Sequence, residues 1–258
     1  MQRLALVLFC TAIILVPASK VLAASARITR VTKDVKVLRA PMGARPATLN
    51  EAVTSGSVIE TGPGAQTELR FDTGALVRLG QNSVLDVRDF RRMELRRGAM
   101  LVRAGKEGEA QVTTGNVVSE ASGTTSLLEH YPEAYIKLIS LEGTARIFMP
   151  AVVGESVLVN PGQLLMFHTK PKPTGLPNPV DIDIDRLRAT SQLIRGFAPL
   201  GSEASIAEGA RAQKQQKSDG ALADTNLVIF GRGTLVSIVP PTADATPKPS
   251  PTPTPRRH

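Results

Sequence analysis

The residues with the clearest potential for metal chemistry lie in the middle of the chain. His130 follows Glu129, His168 ends a predicted strand, and Glu133 lies between the two histidines. Imidazole and carboxylate groups are common ligands of zinc and iron, so these side chains could form a metal site on a β-roll. Their spacing lacks a His-x-His arrangement, and no pattern places them on one strand face. Surface or strand-end histidines are the preferred interpretation, and a metal-dependent enzyme is the least favoured alternative.

Three aspartates further along have the alternating spacing that begins a calcium-binding loop. They are Asp181, Asp183 and Asp185. Such a loop needs Gly at its sixth position and Glu at its twelfth, where this sequence has Arg186 and Gln192. We therefore interpret the aspartates as acids on the solvated side of a strand, the last of which, Asp185, is predicted to cap a helix.

Common catalytic motifs are missing from the sequence. It contains no Gly-x-Ser-x-Gly nucleophile elbow and no His-Glu-x-x-His pair. Gly62-Pro63-Gly64 and Gly231-Arg232-Gly233 lack the third glycine and the strand–helix context of a phosphate-binding loop. The single cysteine, Cys10, lies in a segment that we expect to be removed, so the mature chain should have no disulfide and no reactive thiol. We predict that the protein is not an enzyme and has no cofactor.

Arginines are concentrated over a short stretch that could meet an anionic ligand or partner. The stretch contains Arg91, Arg92, Arg96, Arg97 and Arg103. In an alternating strand some of these share one face, where guanidinium groups can bind carboxylates or phosphates. The preferred alternative is a strand face whose charges are simply solvated. The cluster is a candidate anionic-partner face.

The composition narrows the class of partner. The formal net charge is +8, which attracts anionic surfaces through a field that salt screens. Aromatic residues make up only 3% of the chain and there is no Trp, so a platform for stacking nucleic-acid bases is poorly supplied. Nucleic acid is therefore disfavoured, and an envelope protein or an anionic polymer is the expected partner.

The elements that would position these residues follow an N-terminal export signal. Arg3 gives a positive start, residues 4–18 are almost continuously apolar, and small residues end the segment near Ala23. This layout is typical of a secretory signal peptide, residues 1–23, cleaved after Ala23 or one residue later. An uncleaved anchor is the alternative, but the apolar run is shorter than the roughly 20 residues that span a bilayer. We expect a mature chain without a transmembrane helix, in the periplasm, on the cell surface or secreted.

Residues 26–168 have the pattern of short β-strands separated by glycine turns. Leu69 and Phe71 alternate with Arg70 and Asp72, the period-two pattern of a strand with one buried face. The same pattern predicts strands around Val77–Leu79, Leu85–Val87 and Met93–Leu95, and at Val35–Leu38, Met100–Arg103, Gln111–Thr114, Tyr135–Leu141, Ala145–Met149, Val157–Val159 and Leu164–His168. One apolar and one polar face per strand predicts an all-β fold, an antiparallel two-layer sandwich or roll.

The rest of the chain is predicted to be an extension of this domain. Residues 171–239 should contain a Pro-rich connector, a short helix that ends near Gly196, a polar stretch with little to bury, and a late hairpin of Leu227–Phe230 and Leu235–Val239. Residues 240–258 are dominated by Pro and Thr, a composition that cannot pack a core, so a disordered tail is expected.

The order of the turns resembles the FecR domain. The run from Val53 to Gly62 is similar to the family's apolar-x-x-Gly-Asp-x-Ile-x-Thr-Gly motif, with Ser57 where Asp is usual. A strand, an Asp72-Thr73-Gly74 turn and Ser83 before the next strand follow in family order. The resemblance covers about residues 26–168. The motif positions that carry it are Gly56, Thr61, Gly62, Asp72, Gly74, Gly98, Gly123, Gly143 and Gly162.

The resemblance implies a FecR-like β-domain in a stand-alone, exported form. Classical members have a cytoplasmic anti-sigma portion, one transmembrane helix and a periplasmic β-domain that receives a signal from an outer-membrane iron transporter. Here the β-domain follows the export signal directly, so sigma-factor control is not carried over. We expect a non-enzymatic envelope protein that binds or senses a protein, glycan or other ligand. The alternative is a periplasmic regulator in a sigma-factor or transport signalling cascade that acts through a membrane partner.

Overall fold

The computed structural model describes residues 26–89, 91–105, 109–222, 227–230 and 235–238. The predicted signal peptide, residues 1–23, and the predicted tail, residues 240–258, lie outside the described residues. Both stay predictions.

Short strands form the body of the described chain. In order they are β1 (Ala26–Thr32), β2 (Val35–Arg39), β3 (Gly43–Pro46), β4 (Ala52–Val53), β5 (Ser57–Thr61), β6 (Gln66–Phe71), β7 (Leu76–Leu79), β8 (Val84–Asp89), β9 (Arg92–Arg103), β10 (Glu109–Thr114), β11 (Val117–Ser122), β12 (Thr125–Tyr131), β13 (Tyr135–Glu142), β14 (Ala145–Phe148), β15 (Ser156–Val159), β16 (Gln163–His168) and β17 (Val180–Asp181). Three helices follow: α1 (Ile184–Thr190), α2 (Gln192–Arg195) and α3 (Glu203–Ser218). Strands β18 (Leu227–Phe230) and β19 (Leu235–Ile238) pair antiparallel where the sequence predicts a late hairpin.

The strands form two layers that share β9. Sheet A has the order β4-β1-β6-β7-β9-β12-β13-β16-β17. Sheet B has the order β3-β2-β5-β8-β9-β10-β11-β14-β15. All of these pairings are antiparallel except β9 with β10. The all-β fold predicted from the alternation is confirmed.

The main core lies between the inner faces of the two sheets. Ile28, Leu69, Val77 and Met100 face it from sheet A and are fully buried, and Ile59 faces it from sheet B. Each residue of this kind contributes about 1.5–3 kcal/mol when it leaves water. The period-two pattern in the sequence is therefore the pattern of this inner layer.

A second apolar layer lies between the outer face of sheet A and the three helices. Leu101, Leu127 and Ile139 on the sheet pack in one cluster with helical residues that include Leu187 and Leu193. The polar stretch that becomes α3 was predicted to bury little, and this was wrong. One side of α3 buries Ile206, Ala210 and Gln213. Sheet A is thus covered on both faces.

The predicted start of the short helix was also wrong. Asp183, not Asp185, is the N-cap of α1, and its Oδ1 accepts a hydrogen bond from the Arg186 backbone N–H at 2.9 Å. Asp185 lies in the first turn of α1 and pairs with Lys214 at 2.5 Å. The single predicted helix is divided at Ser191, which has an extended backbone between α1 and α2. None of the helices in the described part of the chain is long and apolar enough to cross a bilayer.

Candidate functional site

The residues of the family motif are turn and packing residues. Positive φ angles occur at Gly56, Gly74, Gly98, Gly123, Gly143 and Gly162. Thr61 is buried, and its Oγ1 donates to the Gly80 carbonyl at 2.6 Å and accepts from the Ser83 N–H at 2.9 Å. Gly62 donates its N–H to the Asp34 carbonyl at 2.9 Å, and Asp72 lies exposed in the β6–β7 turn. These positions set the path of the chain.

Gly98 has the most restricted surroundings of the motif glycines. It lies where β9 passes from sheet B to sheet A, with φ +94. A Cβ at this position would lie 2.2 Å from Ser83 Oγ and 2.5 Å from Ser83 Cα. Only glycine fits this close approach without a shift of the backbone. The close contact lets one strand serve both layers.

The predicted arginine cluster is divided by the same change of sheet. Arg92, Arg96 and Arg97 lie on the outer side of sheet B, and Arg91 is exposed in the turn before them. We call these four the arginine face. Arg103 lies at the other end of β9, in sheet A, where its Nη2 donates to the Gly74 carbonyl at 3.1 Å.

A β-bulge directs two of these arginines outward together. Val84 pairs with Arg97 and Leu85 pairs with Leu95, so Arg96 is the extra residue. Both arginine side chains are about half exposed, at 52% for Arg96 and 55% for Arg97. Without the bulge, alternation would turn one of them into the core. The bulge therefore creates the density of positive charge on this face.

Each of three arginines on the face has an acidic partner. Arg92 lies 2.9 Å from Asp89 and Arg96 lies 2.7 Å from Asp86. A third pair joins Arg97 to Glu60 at 3.1 Å. Exposed pairs of this kind contribute about 0–1 kcal/mol, so a partner can exchange them at little cost. The arginine face therefore presents mixed charge.

The structure does not bring the candidate metal ligands together. His130 faces the core, where its Nδ1 lies 2.9 Å from the Leu95 carbonyl. His168 is exposed and pairs across strands with Tyr135, whereas His130 pairs with Ile136, so the two rings lie on opposite faces of sheet A. Within the described ranges no group of three or more His, Cys, Asp or Glu side chains could hold a metal ion.

A buried ion pair that the sequence pattern did not indicate joins β6 to β7. Arg78 is 1% exposed, and its Nε lies 3.0 Å from Glu68 Oε2. Its Nη1 donates to the Leu193 carbonyl at 3.0 Å and its Nη2 to the Ala198 carbonyl at 2.6 Å. The Phe197 ring stacks 4.7 Å from the guanidinium carbon. Burial lowers the pKa of Arg78, and Glu68 opposes that change. The guanidinium holds the helical segment on sheet A.

A second buried ion pair joins β12 to β13. Like the first pair, it lies on the outer face of sheet A. Lys137 Nζ lies 2.6 Å from Glu129 Oε2, which also accepts from the Tyr135 hydroxyl at 2.9 Å. Both charged side chains are almost fully buried, and Glu129 Oε1 has no hydrogen-bond partner. Burial raises the pKa of Glu129 and lowers the pKa of Lys137 to about 8. Neither group reaches solvent.

Sequence reasoning missed both pairs because all four residues occupy the polar positions of alternating strands. Such positions normally face water in an antiparallel sheet. A signal for their burial exists further along the chain, where Ile182, Ile184, Leu187 and Leu193 recur in a short segment that needs an apolar surface to cover.

The comparison with family models agrees with the resemblance to the FecR domain that the turns indicate. Residues 57–146 match the family model described as FecR protein. No curated protein matches the chain. Two crystal structures, both described as an anti-sigma factor of Parabacteroides distasonis, are similar at 15% and 14% identity with TM-scores of 0.45 and 0.43. Each similarity covers 51% of this chain and 63% or 62% of the other, so the chain matches less than two thirds of those proteins. The matched residues run from the start of β5 into β14, so this part of the two-layer body is what is similar to the FecR domain.

Proposed function

We propose that this chain is a non-enzymatic regulatory module of the cell envelope that acts by binding a protein partner. The FecR match supports a signalling or regulatory role rather than catalysis, and FecR domains are associated with the envelope. Export through the predicted signal peptide, residues 1–23, is part of the proposal.

The observation that carries the proposal is the difference between the two outer faces. Helices α1–α3 pack on the outer face of sheet A. On sheet B the outward side chains are exposed or half-exposed, among them Lys36, Val58, Arg146 and Phe148. A FecR domain that works by contact needs an accessible face, and within the described residues sheet B offers a broad one.

The charges on this face favour a protein over a uniform anionic polymer. Acidic and basic side chains alternate across the strands, as in Arg97 with Glu60 and Arg146 with Glu120. A partner that carries both signs can match such a pattern, and charge complementarity contributes mainly to specificity and to the rate of association. Half-buried apolar residues such as Val58 and Phe148 add contact area between the charges.

Site-specific photocrosslinking in the native host tests the proposal. A photoreactive amino acid at Val58 or at Arg96 samples the outer face of sheet B. The same amino acid at Ala189, exposed on the helical segment, is the matched control. Discrete crosslinked proteins from the sheet B positions and none from Ala189 are the expected result. Equal yields from all three positions, or no product from any, would contradict the proposed face.

A second candidate function is a regulator in a sigma-factor or transport signalling cascade that acts through a membrane partner. The FecR description of residues 57–146 favours it. Deletion of the gene should then change transcription under iron limitation or envelope stress. An unchanged transcript profile under both conditions would remove this candidate while leaving a different envelope partner open to the crosslinking test.

A further inference from the structure

A cleft of about 570 Å³ lies at one end of the sandwich, on residues other than those of the arginine face. Strands β11 and β14 pair from Glu120 to Val118, and the pairing ends where Val118 lies opposite Phe148. The cleft opens there, between the β10–β11 turn, the β14–β15 loop and the segment of residues 172–174. Its volume is in the range of clefts that bind small molecules.

The walls of the cleft are mainly apolar. Val117 and Met149 are fully buried beneath it, and Val118, Val152 and Pro173 form its sides. Apolar walls of this kind gain free energy when a ligand displaces water from them. An occupant must therefore have an apolar body.

A few polar side chains accompany the apolar walls. Asn116 contributes an amide side chain to the lining, and Thr113 and Thr174 contribute hydroxyl groups. Lys172 adds an exposed ammonium group. None of the described residues that line the cleft is acidic. The described lining therefore offers one cation and a few neutral polar groups beside an apolar surface.

We infer that this cleft binds a small amphipathic anion, an aliphatic or aromatic carboxylate. Its apolar body lies against Val117, Met149 and Val152. Its carboxylate pairs with the ammonium group of Lys172, since charge-assisted hydrogen bonds are the stronger ones. The inference goes beyond the proposed function because it assigns a ligand class to residues outside the arginine face.

Titration of the purified full chain with 8-anilinonaphthalene-1-sulfonate, an anionic apolar fluorophore, tests the inference. We expect one saturable site from which sodium decanoate displaces the probe. Decyltrimethylammonium has the same chain with the opposite charge and should displace the probe about tenfold less effectively. Fluorescence that does not saturate, or equal displacement by the two chains, would overturn the inference.

Two variants locate the site. Ala151 is an exposed lining residue, and Ala151→Trp should fill the cleft and weaken probe binding about tenfold or more, because the volume for the apolar body is lost. Val153→Trp is the control, because it places the same side chain in the same loop at a fully exposed position outside the cleft lining. This variant should bind the probe as tightly as the wild type does. Binding that is unchanged in Ala151→Trp, or lost equally in both, would overturn the assignment.

A charge reversal keeps the test valid if a tryptophan variant fails to fold. Lys172→Glu should weaken displacement of the probe by decanoate about threefold or more. Displacement of the probe by decyltrimethylammonium should be unchanged or stronger. Lys36→Glu, an exposed lysine on sheet B, is the matched control and should change neither. If Lys172→Glu and Lys36→Glu bind decanoate with the same affinity, Lys172 does not bind the carboxylate and this part of the inference is wrong. Neither outcome affects the crosslinking test of sheet B, so the two proposals fail separately.

Discussion

Arg78 and Glu68 form an ion pair beneath the helical segment, with Arg78 Nε 3.0 Å from Glu68 Oε2. The same guanidinium donates to the carbonyls of Leu193 and Ala198, more than a hundred residues further along the chain. A single side chain thus joins two strands of sheet A to the segment that covers them. The β-domain and its helices should therefore unfold together.

Replacing Arg78 should destabilise the whole protein. Arg78→Met removes the donor to Glu68 Oε2 and to the carbonyls of Leu193 and Ala198, and loss of one partner of a buried pair costs about 3–5 kcal/mol. The free energy of unfolding, from urea denaturation followed by circular dichroism, measures the effect. Arg70→Met is the control, because Arg70 is 57% exposed and lies 3.8 Å from the same carboxylate. A cost below about 1 kcal/mol for Arg78→Met, the range of an exposed pair, would contradict this role.

The buried Lys137 should make stability depend on pH in the alkaline range. Its pKa is lowered to about 8 from 10.5, so between these values the unfolded chain binds the proton that the folded chain has lost. Stability therefore rises with pH across this window, by up to roughly 1.4 kcal/mol per pH unit. Urea denaturation at several pH values from 8 to 10.5 measures the slope.

The comparison for this slope is a variant without the titrating pair. Glu129→Gln combined with Lys137→Met removes both groups and should lack the wild-type rise above pH 8. Lys170→Met, at an exposed lysine, should retain it. Parallel stability curves for the wild type and the double variant would show that Lys137 keeps its ordinary pKa.

Gly98 should tolerate a side chain less well than Gly74, although both have positive φ. Gly74 has nothing within 4 Å of an added Cβ, so Gly74→Ala costs only the left-handed conformation, about 1–2 kcal/mol. Gly98→Ala adds the collision with Ser83 and should cost a further 1–3 kcal/mol, roughly. Thermal and urea unfolding of the two variants measure the difference. Equal losses of unfolding free energy in the two variants would mean that the backbone of β9 shifts freely where the strand changes sheet.

Charge reversal on the arginine face should weaken binding without unfolding the protein. In the triple variant Arg92→Glu, Arg96→Glu, Arg97→Glu, acids would face Asp89, Asp86 and Glu60, and a partner would lose its cationic contacts. We expect a lower crosslinking yield from the Val58 position and a flatter dependence on salt. Arg211→Glu, at an exposed residue of α3, is the control. A yield equal to that of the wild type would exclude these arginines from the interface.

The inner layer of the fold could be predicted from the sequence because it depends on local pattern. Leu69 and Phe71 alternate with polar neighbours, and both are buried in the main core. Glycines such as Gly74 and Gly143 mark turns whose positive φ is a local requirement. The sequence predicted two separate strands, around Met93–Leu95 and at Met100–Arg103, where the structure has the single strand β9. Alternation alone does not show that one strand continues through Gly98 from sheet B into sheet A.

By itself, the sequence determined that this protein is a two-layer β-structure with FecR-type turns, because side-chain alternation and glycine conformation act over a few residues. Only the tertiary structure decided which polar strand positions lose contact with water. Arg78 and Lys137 occupy the same kind of alternating position as Arg96, yet they are buried and Arg96 is exposed. The reason is that burial of an outer face depends on an element distant in sequence, here α1–α3, which covers sheet A and leaves the outward side chains of sheet B exposed or half-exposed.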